Sequence, residues 1–291
     1  MRGRMNDSKS YAAAQPVGQV FQGGTVGEVV ESQHPKYAVG DKVVGFGGWQ
    51  QYSVVDASVP GSLKKVDTTH VPLSHYLGAV GMPGVTAWYG LVKIINPKAG
   101  ETVVITAASG AVGSAFGALA KARGCRVVGI AGGPDKCAYV TDELGFDACI
   151  DYKAGPSAVR DGLKEHCPKG VDIYFDNVGG EILDTVLAKL ARKARIIICG
   201  AISQYNNTTP VQGPKNYLSL LVNRARMEGI VVFDYADRYH LAITEMAAYL
   251  KSGQMKSKED VVVGLDTFPE TLTKLFTGEN FGKLVLQVAS D

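Results

Sequence analysis

No stretch of the chain holds the roughly 18 consecutive apolar residues that a membrane-spanning helix needs. The opening Met1-Arg2-Gly3-Arg4-Met5-Asn6-Asp7 lacks the apolar segment of a secretory signal. Neither sign of charge is in surplus, since 30 Lys and Arg face 28 Asp and Glu. The cations are scattered, so no basic stripe points to nucleic acid and no acidic tail to disorder. Cysteine is sparse and isolated. Cys125, Cys137, Cys149, Cys167 and Cys199 form no Cys-x-x-Cys pair, and their odd number argues against a disulfide framework. They read as reduced thiols of a cytoplasmic protein. The five histidines, His34, His70, His75, His166 and His240, are not spaced as a ligand set, so no metal centre is expected. No Gly-x-Ser-x-Gly elbow is present. Trp49 and Trp88 are the only tryptophans and are expected to pack rather than to touch substrate.

What the chain has is glycine, 35 residues of it in 291, which calls for many tight turns and close backbone approaches. The length exceeds what one core usually organises, so two domains, or one large domain with a smaller appendage, are expected. To about Lys65 the pattern is of short strands broken by glycine: Gln19-Val20-Phe21, Thr25 to Val30, Asp41 to Phe46 and Gln51 to Val55. That spacing predicts an antiparallel, barrel-like region. From about Gly100 short β-branched runs alternate with amphipathic segments. The runs are Val103 to Ala107, Val127 to Ile130, Ala148 to Ile150, Val171 to Phe175, Ile196 to Cys199 and Ile230 to Phe233. Helical periodicity marks Val112 to Ala120, Ile182 to Leu190 and Tyr239 to Leu250. This rhythm predicts an α/β domain, a doubly wound (Rossmann) parallel sheet covered on both faces. The tail predicts a strand at Val261 to Val263, a helix from Phe268 to Phe276 and a last strand at Leu284 to Val288. They either extend the sheet or return to the first domain.

The clearest motif is Ala108-Ser109-Gly110-Ala111-Val112-Gly113, which leaves a strong strand and opens a strong helix. Gly110 allows the backbone to approach a pyrophosphate, and Gly113 lets the helix pack close. The helix N-terminus adds free N–H groups and a positive dipole. After the second strand, where NAD enzymes carry an acid for the ribose hydroxyl, the chain reads Ala131-Gly132-Gly133-Pro134-Asp135-Lys136. Gly132 leaves room there, Lys136 can meet a 2′-phosphate, and Asp135 is expected to cap the next helix. The cofactor expected is therefore NADPH. Asn177, Cys199, Ala201 and Ser203, in the loops after later strands, and Phe233 are candidate contacts for its nicotinamide half. Tyr205 can present a phenol near the reacting carbon.

The motifs together resemble a family. Ala107 to Ser114, Phe175 to Gly180, Cys199 to Asn206, Gly81 to Ala87 and Asn280-Phe281-Gly282-Lys283 look like the zinc-free medium-chain reductases. Among these, the bacterial curcumin reductases, plant alkenal reductases and prostaglandin or leukotriene reductases are most similar. The resemblance implies a partial GroES-like antiparallel β-barrel domain over 1–80, an NADP-binding Rossmann domain over 81–254 and a return to the first domain over 255–291. It implies an enzyme in which NADPH delivers hydride to the β-carbon of an α,β-unsaturated ketone or aldehyde, with no metal. Substrates would be small molecules: curcumin-like enones, alkenals or 15-oxoprostaglandin-like compounds. Tyr11 and Tyr205 fall at positions of catalytic tyrosines, Lys136 at the 2′-phosphate lysine, Tyr152 and Asn280 at cofactor positions. A tyrosine of some animal members is replaced here by Val222. A homodimer, without nucleic acid or membrane partners, is also implied. Members of the family run through an Asp-Pro-Tyr before the stretch that starts here at Met1, so a truncated substrate domain is expected.

Other readings of the same residues are a quinone reductase of the same superfamily and a non-catalytic NADPH-binding protein. An S-adenosylmethionine-binding fold fits less well, because Gly132 and Gly133 stand where its carboxylate is needed.

Overall fold

The computed structural model describes residues 4–5 and 11–289. Met1-Arg2-Gly3 and Asn6-Asp7, in the stretch read for a signal, lie outside the described residues. The first part holds three short strands, β1 (Thr25–Glu28), β2 (Lys42–Gly45) and β3 (Leu63–Lys65), in one antiparallel sheet of that order. This sheet stands where the partial barrel is expected. Gln19 to Phe21 and Gln51 to Val55 are not strands, and Leu63–Lys65, too short and charged to show a pattern, is one.

Six parallel strands form the main sheet: β4 (Thr102–Thr106), β5 (Arg126–Ala131), β6 (Ala148–Asp151), β7 (Val171–Asp176), β8 (Leu190–Ile198) and β9 (Arg226–Gly229). Their order is β6-β5-β4-β7-β8-β9, the doubly wound arrangement in which the winding direction reverses between β4 and β7. Alternate residues serve opposite cores. Val103 and Ile105 of β4 join one apolar cluster and Val104 the other, and Ile173 and Tyr174 of β7 divide in the same way. A strand buried on both faces must be apolar throughout, which explains the continuous β-branched runs.

One run misleads. Ile230 to Phe233 is not a strand; the edge strand is the polar Arg226–Gly229 just before it, and Val232–Arg238 forms a tight helical turn. Ile230 and Val232 are apolar because they are buried under the neighbouring helices, not because they pair. All four residues of β9 are exposed, so this strand leaves no hydrophobic signature.

Helices α1 (Met82–Trp88), α2 (Ala111–Ala122), α3 (Pro134–Ala138), α4 (Ala158–His166), α5 (Gly180–Leu187), α6 (Ser219–Asn223) and α7 (Tyr239–Lys251) flank the sheet. After α7 come β10 (Glu259–Val263), α8 (Phe268–Thr277) and β11 (Lys283–Gln287). β10 and β11 pair with each other in parallel as a separate ribbon. The ribbon unit returns to the first part by packing: the Phe268 ring lies 4.2 Å from Trp49 and 5.2 Å from Phe21. Ser74 Oγ donates to Glu259 Oε2 at 2.6 Å at the same junction. Trp49 and Trp88 are both packing residues, and the Trp88 indole donates to Glu245 Oε2 at 2.6 Å.

Candidate active site

Both ends of the candidate site grow from the carboxyl ends of the central strands, where open α/β sheets bind ligands. β4 runs into Ala107, whose φ of 50° turns the chain sharply. Gly110 N–H then closes on Ala107 O at 2.9 Å, and α2 begins at once. A Cβ on Gly113 would lie 2.4 Å from Ala107 O, so only glycine lets α2 start this close to the loop. Ala108 is fully buried, with its N–H on Ile130 O, while Gly110, Ala111 and Val112 border the surface. The first turn of α2 leaves N–H groups without helical acceptors, the chemistry that receives a phosphate.

Across the reversal point, β7 ends in Asp176, a buried carboxylate whose role the sequence does not announce. Its Oδ1 accepts from Tyr174 Oη (2.9 Å), Thr106 Oγ1 (3.1 Å), Val178 N–H (2.9 Å) and Gly179 N–H (3.0 Å). Burial pushes the Asp176 carboxyl above its ordinary range, against the pull of these donors. Asn177 is fixed twice to the end of β4: its N–H reaches Thr106 Oγ1 and its Nδ2 reaches Thr106 O, each at 2.8 Å. The next loop is laced onto this one. Cys199 N–H meets Asp176 O at 2.8 Å, and Ser203 Oγ meets Val178 O at 2.6 Å. Burial pushes the Cys199 thiol up to about 12, so it is a neutral wall here and not a nucleophile.

Tyr205 closes this side. Its hydroxyl accepts Ala201 N–H at 3.1 Å, which leaves the phenolic proton free to donate. Burial raises its pKa, and Tyr11, near enough to interact with it, raises it further. The Tyr11 ring stands 6.3 Å from Phe233. Tyr11, Tyr205 and Phe233 therefore gather at the mouth of the Asn177 and Cys199 loops. All three are exposed, at 75%, 42% and 40% respectively.

A second group forms beyond β5. Tyr152 lies over Gly132, where an added Cβ would come within 2.8 Å of the phenolic oxygen. Lys136 Nζ donates to Gly278 O, the carbonyl that follows α8, at 2.6 Å. Burial lowers the Lys136 pKa, the nearby Lys153 lowers it further, and Asp260 partly offsets both. Asn280 follows two residues on, with Nδ2 on Gly282 O at 3.1 Å. Lys136, Lys153 and Tyr152 thus border one space beside Gly132. Asp135 does not cap α3. Gly133 holds the capping position without a side chain, and the carboxylate that steadies the turn is Asp151, whose Oδ1 accepts Gly133 N–H at 2.7 Å and Lys153 N–H at 2.9 Å. Gly133 takes a φ of 94°, a left-handed conformation that supplies the turn without an Asx cap. Among the described residues no three His, Cys, Asp or Glu side chains stand together as a metal site.

Two family models match the chain. One, described as zinc-binding dehydrogenase, covers 111–248, and one described as the N-terminal domain of oxidoreductase covers 1–63. An NADPH-dependent curcumin reductase of Escherichia coli K12 is 44% identical over 296 residues, covering 100% of this chain and 84% of that protein. A 2-alkenal reductase (NADP(+)-dependent) of Nicotiana tabacum is 41% identical over 292 residues, covering 100% of this chain and 84% of that protein. Among solved structures, CurA from Vibrio vulnificus in complex with NADPH superposes with a TM-score of 0.92 at 42% identity, covering 100% of this chain and 86% of that one.

Proposed function

Because the chain belongs to the family of NADPH-dependent curcumin, alkenal and prostaglandin reductases, within the medium-chain dehydrogenases/reductases, we propose that it reduces the C=C bond of α,β-unsaturated ketones and aldehydes with NADPH. One observation carries the reading: a glycine cradle for a pyrophosphate opens beside a neutral phenol whose proton is free to donate. The residues fit NADPH. Gly110, Ala111, Val112 and Gly113 would hold the pyrophosphate, with Ala108 behind them. Gly132, Lys136, Tyr152 and Asn280 would hold the adenosine and its 2′-phosphate. Asn177, Cys199, Ala201, Ser203 and Phe233 would border the nicotinamide.

Bound there, NADPH supplies the hydride that joins the β-carbon of the enone. As that bond forms, the π pair moves toward the carbonyl and negative charge collects on its oxygen. The hydroxyls of Tyr205 and Tyr11 donate hydrogen bonds to that oxygen, and a proton taken up from solvent water then reaches the α-carbon, leaving hydroxide to the buffer. Donors placed where charge develops typically contribute about 10²–10³ in rate. The double variant Tyr11→Phe/Tyr205→Phe should therefore lower kcat by about 10²–10³ with little change in the KM for NADPH, each single variant by less. Steady-state rates at saturating NADPH check this. Since Tyr205 is held above the ordinary phenol range, no break in the pH–rate profile from this group is expected below about pH 10.

Incubation with NADPH and either an enone or a quinone tests the activity. The expected product is the saturated ketone, two hydrogens heavier with its carbonyl intact. An allylic alcohol, or turnover of the quinone alone, would overturn the proposal. Lys136→Ala should weaken NADPH binding by about 1.5–3 kcal/mol, the range for a charge-assisted contact, and leave NADH binding nearly unchanged. Fluorescence titration of both cofactors measures it; an unaltered NADPH to NADH ratio would remove Lys136 from the 2′-phosphate site.

The chain divides into a substrate domain (1–80), the cofactor domain (81–254) and a returning segment (255–291), supported by the Phe268 contacts with Phe21 and Trp49. It works in the cytoplasm, a reading supported by its unpaired cysteines; among the described residues, no helix is long and apolar enough to cross a membrane. It forms a homodimer through β9, whose four residues are exposed along the sheet edge. Light scattering should give a dimer, and Met227→Pro, which removes an edge N–H, a monomer.

A further inference from the structure

The end of the main sheet opposite the glycine loop carries a cleft of about 490 Å³. Five of the eight residues that line it are cations: Lys98, Lys193, Arg195, Arg224 and Arg226. They come from three separate segments: the turn before β4, the middle of β8, and the turn before β9 with its first residue. Parallel strands bring these starts to one edge, and β4 alone, at about 3.3 Å per residue, puts some 15 Å between this edge and the phosphate loop.

Two carboxylates offset two of the five charges. Glu101 pairs with Arg195 at 2.5 Å, and Glu228 lies 3.4 Å from Arg226, which also donates to Ile94 O. Among the described residues, Lys98, Lys193 and Arg224 have no ion pair. Gathering like charges in a cleft is unfavourable without a counter-charge. Arg195 Nε is buried without an acceptor among the described residues. The backbone is also set specially here. Of the four non-glycine residues with left-handed φ among the described residues, one is Ala107 in the phosphate loop. The other three, Asn96 (50°), Lys193 (65°) and Arg224 (49°), all line this cleft. Asn96 and Arg224 take it as the residues that close the helical segments before them, and Lys193 takes it inside β8.

We propose that this cleft binds a small phosphorylated anion carrying two or more negative charges, at a site separate from the NADPH loop. Guanidinium forks pair with phosphate oxygens two at a time, and the two lysines add point charges. The occupant is a compact phosphate ester or pyrophosphate, since three uncompensated cations around one cleft match two to three negative charges.

The test is isothermal titration of the full chain with inorganic pyrophosphate, with saturating NADP⁺ present to fill the cofactor site. One equivalent should bind, more weakly as salt rises. Lys98→Gln/Lys193→Asn should weaken this binding at least tenfold while leaving kcat and the KM for NADPH unchanged. Asn suits the left-handed backbone at 193. Absence of saturable binding at millimolar pyrophosphate would overturn the proposal, as would equal binding by the double variant. Displacement of pyrophosphate by further NADPH would place the anion in the cofactor site instead. Citrate binding as tightly as pyrophosphate would refute the phosphate assignment.

Discussion

Gly113→Ala should abolish useful NADPH binding. The added Cβ would sit 2.4 Å from Ala107 O and 3.0 Å from both Ala107 C and Ala108 Cα. These are backbone atoms of the phosphate loop itself, and ordinary contact needs about an ångström more. A side chain could swing aside, but here either the loop or the start of α2 must move. Ala107 already sits at φ 50° and has little freedom to yield. We expect NADPH affinity to fall at least 100-fold, about 2.7 kcal/mol, with the circular dichroism of the folded chain retained. Gly110→Ala, whose Cβ meets only Ala107 O at 3.1 Å, should be milder. Wild-type NADPH affinity in Gly113→Ala would show that the loop does not hold the cofactor.

Asp176→Ala should be the most destabilising of these changes. It strips the acceptor from Tyr174 Oη, Thr106 Oγ1 and the N–H groups of Val178 and Gly179, in a place with no solvent. Breaking a buried polar network by removing its charged member costs about 3–5 kcal/mol, a fall in melting temperature of roughly 10 °C. Binding should suffer too, because Asn177 and the Cys199 loop are placed through the same hub. Asp176→Asn separates charge from shape. Burial raises the Asp176 carboxyl, so the folded chain holds that proton more tightly than the unfolded chain does. Its stabilising contribution is therefore full below the ordinary carboxylate range, near pH 3.9, and is lost as pH rises through the raised value. The stability advantage of wild type over Asp176→Asn should shrink from acid toward neutral pH. Thermal melts of both proteins across that range measure it, and a gap that widens with pH would contradict the assignment.

The sheet was legible because strands such as Val103 to Thr106 and Val171 to Phe175 are buried on both faces and must be apolar throughout. The tight turn from Ala107 to Gly113 was legible because its glycines answer a local steric demand. β9 was not, since an exposed edge strand needs no apolar residue, and the neighbouring Ile230 to Phe233 carries the apolarity for a different reason. Long-range partnerships also leave no local trace. Lys136 was expected to meet a 2′-phosphate, and the bond it makes to Gly278 O, 142 positions away, has no local signature. Asp135 was read as a cap because it is next in sequence, whereas Asp151 is next in space. The cationic cleft is scattered charge in sequence and becomes a cluster only when three parallel strands start at one edge.

The two tryptophans fall on opposite sides of the fold's main division, and that gives the chain two built-in optical reporters. Trp49 is half-buried against Phe21 and Phe268, so its emission follows the docking of the returning segment onto the first part. Trp88 lies in the core of the larger part, bonded to Glu245, and its emission follows the doubly wound sheet alone. Trp49→Phe and Trp88→Phe each leave one signal, so loosening of the first part can be watched separately from loss of the main sheet.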